Sequence, residues 1–131
     1  ITSMIFEGIF QRFPGLKIVL IEGGFAWLPA LMWRMDRAWQ ILGDETPHVQ
    51  QPPSETVRQH FWITTQPIEE PPDERQFREL LDQLDMNDRF IFATDYPHWD
   101  FDAPDLALPN SLSPTLKRAI LSDNARGLYR F

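Results

Sequence analysis

Short apolar runs alternate with longer segments of helical periodicity along this chain, and that alternation limits the folds open to it. The runs rich in β-branched and aromatic residues are Leu16–Glu22, the stretch centred on Phe61–Thr65 within Val57–Gln66, and Arg89–Thr94. Runs of this length, bounded by glycine or proline, predict buried strands. Strands that alternate with amphipathic helices favour right-handed βαβ units and a parallel sheet, so the expected fold class is α/β.

Four segments around these strands carry the apolar spacing of a helix. They are Ser3–Phe13, about Ala26–Ile41, a segment that begins at Asp73, and a segment that begins at Ser113-Pro114 and is followed by a last short turn capped by Asp123 or Asn124. Asp73 and Gln76 form a capping-box pattern, which predicts where the third helix starts. The prolines and polar residues of His48–Glu55 and of Tyr96–Leu112 predict loops.

The composition narrows the function classes. With 131 residues, of which 43% are hydrophobic and 24% charged, the chain has material for one packed domain. The net charge of −7 disfavours binding to nucleic acid or to an anionic membrane, because both need a basic surface. The absence of cysteine excludes disulfides and fits a reducing, cytoplasmic location. No apolar run approaches the ~20 residues that span a bilayer, and no signal peptide is evident.

Acidic residues end two of the predicted strands. Glu22 closes the first strand and precedes Gly23-Gly24, and Asp95 closes the third and precedes Pro97 and His98. The carboxyl ends of parallel strands lie at one edge of the sheet, where ligands and catalytic groups collect. A carboxylate there can bind a divalent metal or accept a proton. Aspartate also caps loops at such positions, so both interpretations of Asp95 stay open.

Other side chains near the strand ends are candidates for substrate contact. Gln66 ends the middle strand and can donate to a substrate oxygen, or it satisfies a turn. Trp27 and Trp99 follow the two acids and can wall a pocket, although packing is the commoner use of tryptophan. His98 can bind a metal, orient Asp95 or contact substrate, or it bonds to the backbone of its own loop. The sequence has no phosphate-binding loop, His-Glu-x-x-His motif or serine nucleophile elbow.

Four segments together have a familiar pattern. They are Glu7–Leu20, Gly23-Gly24 with Trp27-Leu28-Pro29, Ala93–His98, and Asn124–Tyr129. They resemble the amidohydrolase-related family (amidohydrolase 2), in the branch that includes aminocarboxymuconate semialdehyde decarboxylase. The resemblance implies the C-terminal part of a metal-dependent (β/α)8 TIM barrel, with its sixth, seventh and eighth strands, and hence that residues 1–131 form one partial domain.

The resemblance also implies roles for single residues. Asp95 matches the acid that closes the eighth strand and binds, or works beside, a divalent metal that is commonly zinc, and His98 lies next to it. Glu22 departs from the pattern, because many relatives have histidine at the end of the sixth strand. An ionised glutamate only accepts hydrogen bonds and cannot replace an imidazolium.

The implied function is that of a metal-dependent hydrolase or nonoxidative decarboxylase acting on a small carboxylic, amide or lactone substrate. A complete barrel takes about 250 residues, so the metal-binding histidines of the first and fifth strands are expected upstream of this sequence. The segment alone is therefore expected to be catalytically incomplete.

Two other interpretations of the sequence remain. One is a noncatalytic, barrel-derived structural or interaction module, whose exposed sheet edges would drive self-association into a homo-oligomer. The other is a compact flavodoxin-like domain, which needs five strands where the sequence predicts three.

Overall fold

The computed structural model describes residues 1–69 and 71–130. The chain divides into two compact units, one formed by Ile1–Ile18 and Trp27–Phe61, the other by Val19–Ala26 and the described part of Trp62–Phe131. Every helix in the described ranges is too short or too polar to cross a lipid bilayer.

The first unit is helical. Its helices are α1 (Thr2–Phe6), α2 (Ile9–Arg12), α3 (Leu28–Leu42) and α4 (Pro53–His60), with a 3₁₀ turn at Gly43–Glu45. Pro29 and Pro53 lie in the first turns of their helices, where a missing N–H costs no hydrogen bond. The buried apolar core of this unit is formed by Ile5, Phe10, Leu28, Met32, Met35, Val49, Val57 and Phe61.

The prediction of one helix over Ser3–Phe13 is wrong, because the chain breaks between α1 and α2. Gly8 has a φ of 73°, a left-handed conformation that glycine adopts at little cost. A Cβ atom there would lie 2.8 Å from Cδ2 of His48, and Nε2 of His48 lies 2.8 Å from the carbonyl oxygen of Phe6. This contact with a residue distant in sequence fixes the break, and apolar spacing cannot reveal it.

Helix α4 replaces the end of the loop predicted at His48–Glu55 and the start of the predicted Val57–Gln66 strand region. The backbone N–H of Ser54 donates to Oδ1 of Asp36 at 2.8 Å, so a carboxylate on α3 caps the first turn of α4. Because this cap comes from another helix, the local sequence around Pro53 does not signal it.

The second unit contains most of a three-stranded sheet with the order β1 (Ile18–Leu20), β2 (Phe61–Thr64) and β3 (Phe90–Ile91). Strands β2 and β3 run parallel, with Ile63 opposite Phe90. Phe25 is fully buried and its ring meets those of Phe77 and Phe90 edge to face, at centroid distances of 5.8 and 4.9 Å. These aromatic contacts anchor the turn after β1 in the core.

Helix α5 (Glu74–Leu84) begins where the sequence predicts, and the Asp73 side chain caps it by accepting from the backbone N–H of Arg75. The strand predicted over Arg89–Thr94 is too long. After β3, the N–H of Phe92 donates to Ile120 and that of Ala93 to the Thr65 hydroxyl, so the backbone leaves the ladder.

The C-terminal segment is helical without the predicted interruption. It consists of α6 (Pro114–Arg118), a π-helical turn (Ala119–Asp123) and α7 (Asn124–Tyr129). The expectation that Asp123 or Asn124 caps a separate last turn is wrong. The Asn124 amide instead donates to the carbonyl oxygens of Asn87 and Phe90, at 2.9 and 2.8 Å.

Candidate metal centre at the strand ends

Glu22 and Asp95 lie just beyond the ends of β1 and β3, and both have a left-handed backbone, with φ of 54° and 57°. Few residues other than glycine adopt this conformation, and a flexible, long side chain such as glutamate has no local reason to do so. The two strand-end acids are therefore held in place by the structure around them.

Asp95 and His98 form a hydrogen-bonded pair. Nδ1 of His98 lies 2.8 Å from Oδ2 of Asp95, and the backbone N–H of His98 donates to the Asp95 carbonyl at 2.9 Å. An ionised carboxylate only accepts, so the ring proton is on Nδ1 and donates to Asp95. Nε2 is the nitrogen that this arrangement leaves for a ligand or a proton. The Asp95 side chain is 15% exposed and that of His98 is 66% exposed.

The acids around His98 raise its pKa above the ordinary value of 6.5. The hydrogen bond to Asp95 is the largest cause, followed by the negative charge of Asp95, and the charges of Asp100 and Glu22 act in the same direction. Both strand-end acids thus act electrostatically on one imidazole, as their positions at one edge of the sheet predict.

Asp100 completes a group of three potential ligands. One ligand atom each from Asp95, His98 and Asp100 lie within 4.8 Å of one another. Carboxylate oxygens and an imidazole nitrogen are ligands that divalent zinc and manganese accept, so the donor chemistry fits such an ion. Sequence reasoning missed Asp100, whose only local signal is an acid two residues after His98.

The predicted substrate-side residues differ in their surroundings. Gln66 is only 4% exposed, and its Nε2 donates to the carbonyl oxygen of Asp100 at 3.1 Å. Trp99, in the loop after β3, is 94% exposed, and Trp27, at the start of α3, is 42% exposed. The prediction that Gln66, Trp27 and Trp99 contact substrate stays a prediction.

Glu69 is a second acid that sequence reasoning missed. Its Oε1 accepts from the N–H groups of Phe25 and Ala26, at 2.7 and 2.9 Å, and so holds the turn that begins at Glu22. Gly24 lies beneath this carboxylate with a φ of 60°, and a Cβ atom there would approach Oε1 to 2.6 Å. Gly24 therefore serves both a left-handed turn and a close approach, whereas a Cβ atom at Gly23 would come no nearer than 4.0 Å to Cβ of Leu20.

Solved structures that resemble the chain are enzymes. A 5-carboxyvanillate decarboxylase from Sphingomonas paucimobilis matches with a TM-score of 0.75 and 28% identity, over 99% of this chain and 38% of that one. An amidohydrolase from Mycobacterium avium subsp. paratuberculosis matches with a TM-score of 0.74 and 29% identity, over 97% and 31%. A dihydroxybenzoic acid decarboxylase from Polaromonas, solved with bound manganese and 2-nitroresorcinol, matches with a TM-score of 0.71 and 24% identity, over 98% and 38%.

The chain thus spans less than two-fifths of the length of each of these structures, and its three parallel strands and helices form part of a (β/α)8 barrel. The predicted fold class is confirmed. Among proteins with curated functions, none matches the sequence. The amidohydrolase family model, by contrast, matches residues 1–131, which is the whole sequence. The chain belongs to the amidohydrolase family, in its amidohydrolase 2 group.

Proposed function

We propose that the protein carrying this sequence is a metal-dependent nonoxidative decarboxylase that acts on a hydroxylated aromatic carboxylic acid. The observation that carries the proposal is the Asp95–His98 pair, with Asp100 beside it, at the carboxyl end of a parallel strand in an amidohydrolase chain. The similarity to the 5-carboxyvanillate decarboxylase, at 28% identity, supports the substrate class.

Asp95 is proposed to bind a divalent metal, with Asp100 close enough to bind it as well and His98 holding the Asp95 carboxylate in place through its Nδ1. Such an ion, when bound, supplies positive charge that holds the oxygens of an acidic substrate. Zinc is the metal that the family resemblance implies, and manganese is present in the Polaromonas structure. Zinc and manganese are therefore the two metals to test.

Decarboxylation needs a proton on the ring carbon that loses its carboxylate. His98 is proposed as the donor: its side chain is 66% exposed, and its hydrogen bond to Asp95 commits Nδ1, so that Nε2 is the nitrogen left to deliver the proton. The proton adds to the ring carbon, the carbon–carboxylate bond breaks, and its electron pair returns to the ring as CO₂ leaves. Asp95 then helps His98 to regain a proton from water.

The substrate side is proposed to include Glu22 and Trp99. The indole of Trp99 is largely uncovered and offers a face for stacking against an aromatic ring. The family resemblance aligns Glu22 with a position where many relatives have histidine, and an ionised carboxylate there would accept from a phenolic hydroxyl rather than donate to a carbonyl.

The test is turnover of 5-carboxyvanillate and dihydroxybenzoic acids, with Mn²⁺ or Zn²⁺, measured as CO₂ release. We expect Asp95→Asn to lose the activity, because the amide neither accepts a proton nor binds the metal as a carboxylate does. Asp82→Asn, on the exposed face of α5, is the matched control and should keep it. Near-wild-type turnover in Asp95→Asn would sink the proposal.

A second candidate is hydrolysis of an amide or lactone, which the similarity to the Mycobacterium amidohydrolase favours at 29% identity. In that reaction Asp95 would accept a proton from the attacking water, instead of orienting His98 as the proton donor. The two candidates give different products. Hydrolysis incorporates an oxygen atom of ¹⁸O-labelled water into the product, whereas decarboxylation releases CO₂ and places a solvent proton on carbon.

A further inference from the structure

The middle strand β2 ends at Thr64, and two more polar residues, Thr65 and Gln66, follow it directly. All three are buried, with 6%, 1% and 4% of their surface exposed. Burying a polar group costs free energy unless the group is hydrogen-bonded. The hydrogen-bond partners of these side chains therefore indicate which parts of the chain they hold in place. Each partner lies next to, or within, one of the turns that carry the strand-end acids.

Thr64 holds the end of the first strand. Its Oγ1 accepts from the backbone N–H of Glu22 at 3.1 Å. The same hydroxyl has one proton to donate, and the carbonyl oxygen of Leu20 is its nearer acceptor, at 3.3 Å. The hydroxyl thereby bridges the two sides of the bend at which Glu22 takes its left-handed conformation.

Thr65 holds the end of the third strand. Its backbone N–H donates to Ile91 at 2.9 Å, which is the last ladder bond, and its Oγ1 accepts from the N–H of Ala93 at 3.2 Å. The chain is thus fixed two residues before Asp95.

Gln66 holds the loop that follows Asp95. Its Nε2 donates to the carbonyl oxygen of Asp100 at 3.1 Å, and the N–H of Asp102 donates back to Thr94 at 2.8 Å. The segment with Asp95, His98 and Asp100 is therefore closed at its base and attached to the middle strand.

We infer that Thr64 and Gln66 are positioning residues, which set the geometry of the candidate metal centre from the two sides of the middle strand. What the metal centre does is taken from the proposed function, on which this inference rests. The hydrogen bonds by which Thr64 and Gln66 hold the two turns do not depend on any activity. It assigns Gln66 a role different from direct substrate contact, and the two roles predict different kinetics.

The test compares Thr64→Val and Gln66→Met with Thr64→Ser, which keeps the hydroxyl. Thr56→Val is the matched control, because Thr56 is also a buried threonine (1% exposed) whose hydroxyl accepts a hydrogen bond, here from Gln51, and both of these residues belong to the first unit. Two readouts are needed: NMR of the folded protein, and steady-state kinetics with Mn²⁺.

In the NMR measurement we expect the Glu22 amide to exchange about tenfold faster in Thr64→Val than in wild type, because its acceptor is gone. The His98 ring resonances should move in Gln66→Met. Thr64→Ser and Thr56→Val should change neither signal. An unchanged Glu22 amide, or unmoved His98 resonances, would overturn the inference whether or not the protein is active.

In the kinetic measurement, loss of a supporting hydrogen bond should lower kcat by about tenfold to 100-fold in both variants and leave KM within about twofold. A rise in KM alone for Gln66→Met indicates substrate contact and overturns the inference for that residue. If wild type has no activity with any acid tested, the proposed function fails. The NMR result alone then decides whether Thr64 and Gln66 hold the turns in place.

Discussion

Nδ1 of His98 lies 2.8 Å from Oδ2 of Asp95, in a turn that also joins the backbones of the two residues. The pair is asymmetric, since the carboxylate is mostly buried and the imidazole mostly exposed. A shielded acid that orients an accessible imidazole is an arrangement that suits proton transfer, because one ring nitrogen is committed and the other is available.

The first prediction concerns the charge state of His98. We expect its pKa to lie above 6.5 in wild type and to fall in Asp95→Asn, because the variant loses both the charge-assisted hydrogen bond and the nearest negative charge. An NMR titration of the three histidines measures both values. Asp82→Asn is the control, and an equal pKa of His98 in wild type and Asp95→Asn would contradict the assigned cause.

The same shift gives stability a pH dependence with a definite sign. A histidine whose pKa is raised by folding binds its proton more tightly in the folded state. Its contribution is therefore fully present below pH 6.5 and is lost as the pH rises through the higher folded pKa. Because His98 is exposed, the effect should be small. Urea unfolding across this pH range should show the decline in wild type and not in His98→Gln, and a rise in wild type would contradict it.

Local signals in the sequence predicted an element correctly where the contacts that stabilise that element are also local. Asp73 caps α5 as its spacing predicts, and Pro29 fits the first turn of α3. Glu22 and Asp95 follow apolar runs, which placed both acids at one edge of the sheet. The strand-and-helix order also held, because burial of alternating elements admits few other arrangements.

Contacts between segments distant in sequence account for the failures. The cap of α4 comes from Asp36, the break after α1 depends on His48, and Glu69 holds a turn more than 40 residues earlier. The hydroxyl of Thr65 ends the ladder of β3 earlier than the apolar run does. No pattern within a short window of sequence contains these pairings.

The turn after β1 provides a prediction about stability. Gly24→Ala should lower the free energy of unfolding by about 1–3 kcal/mol, since the left-handed backbone is strained for alanine and its Cβ would meet the Glu69 carboxylate. Gly23→Ala is a neighbouring control: a Cβ atom there would meet only Cβ of Leu20, at 4.0 Å. Urea denaturation measures both, and equal losses would show that the Glu69 contact and the backbone conformation are not the cause.

Metal binding should raise the free energy of unfolding as well as support activity. A ligand that binds only the folded state, at a free concentration of about 100 times its Kd, adds about 2.7 kcal/mol to the free energy of unfolding. We expect Mn²⁺ or Zn²⁺ to stabilise wild type, chelator to reverse the gain, and Asp95→Asn to lose it. The same gain in Asp95→Asn as in Asp82→Asn would place the ion elsewhere.

The last prediction concerns the Asn124 amide, which donates to two carbonyl oxygens, those of Asn87 and Phe90. In Asn124→Asp an ionised carboxylate would face the same two acceptors, with no proton to donate. We expect a loss of about 1–3 kcal/mol at neutral pH, the usual cost of leaving such groups unsatisfied. Asn110→Asp, on the exposed loop before α6, makes the same chemical change without these partners and should be nearly neutral. Protonation of the new carboxyl restores a donor, so urea unfolding should find a smaller deficit at acidic pH. A deficit that is the same at neutral and acidic pH would mean that the two carbonyl contacts are not what Asn124 contributes.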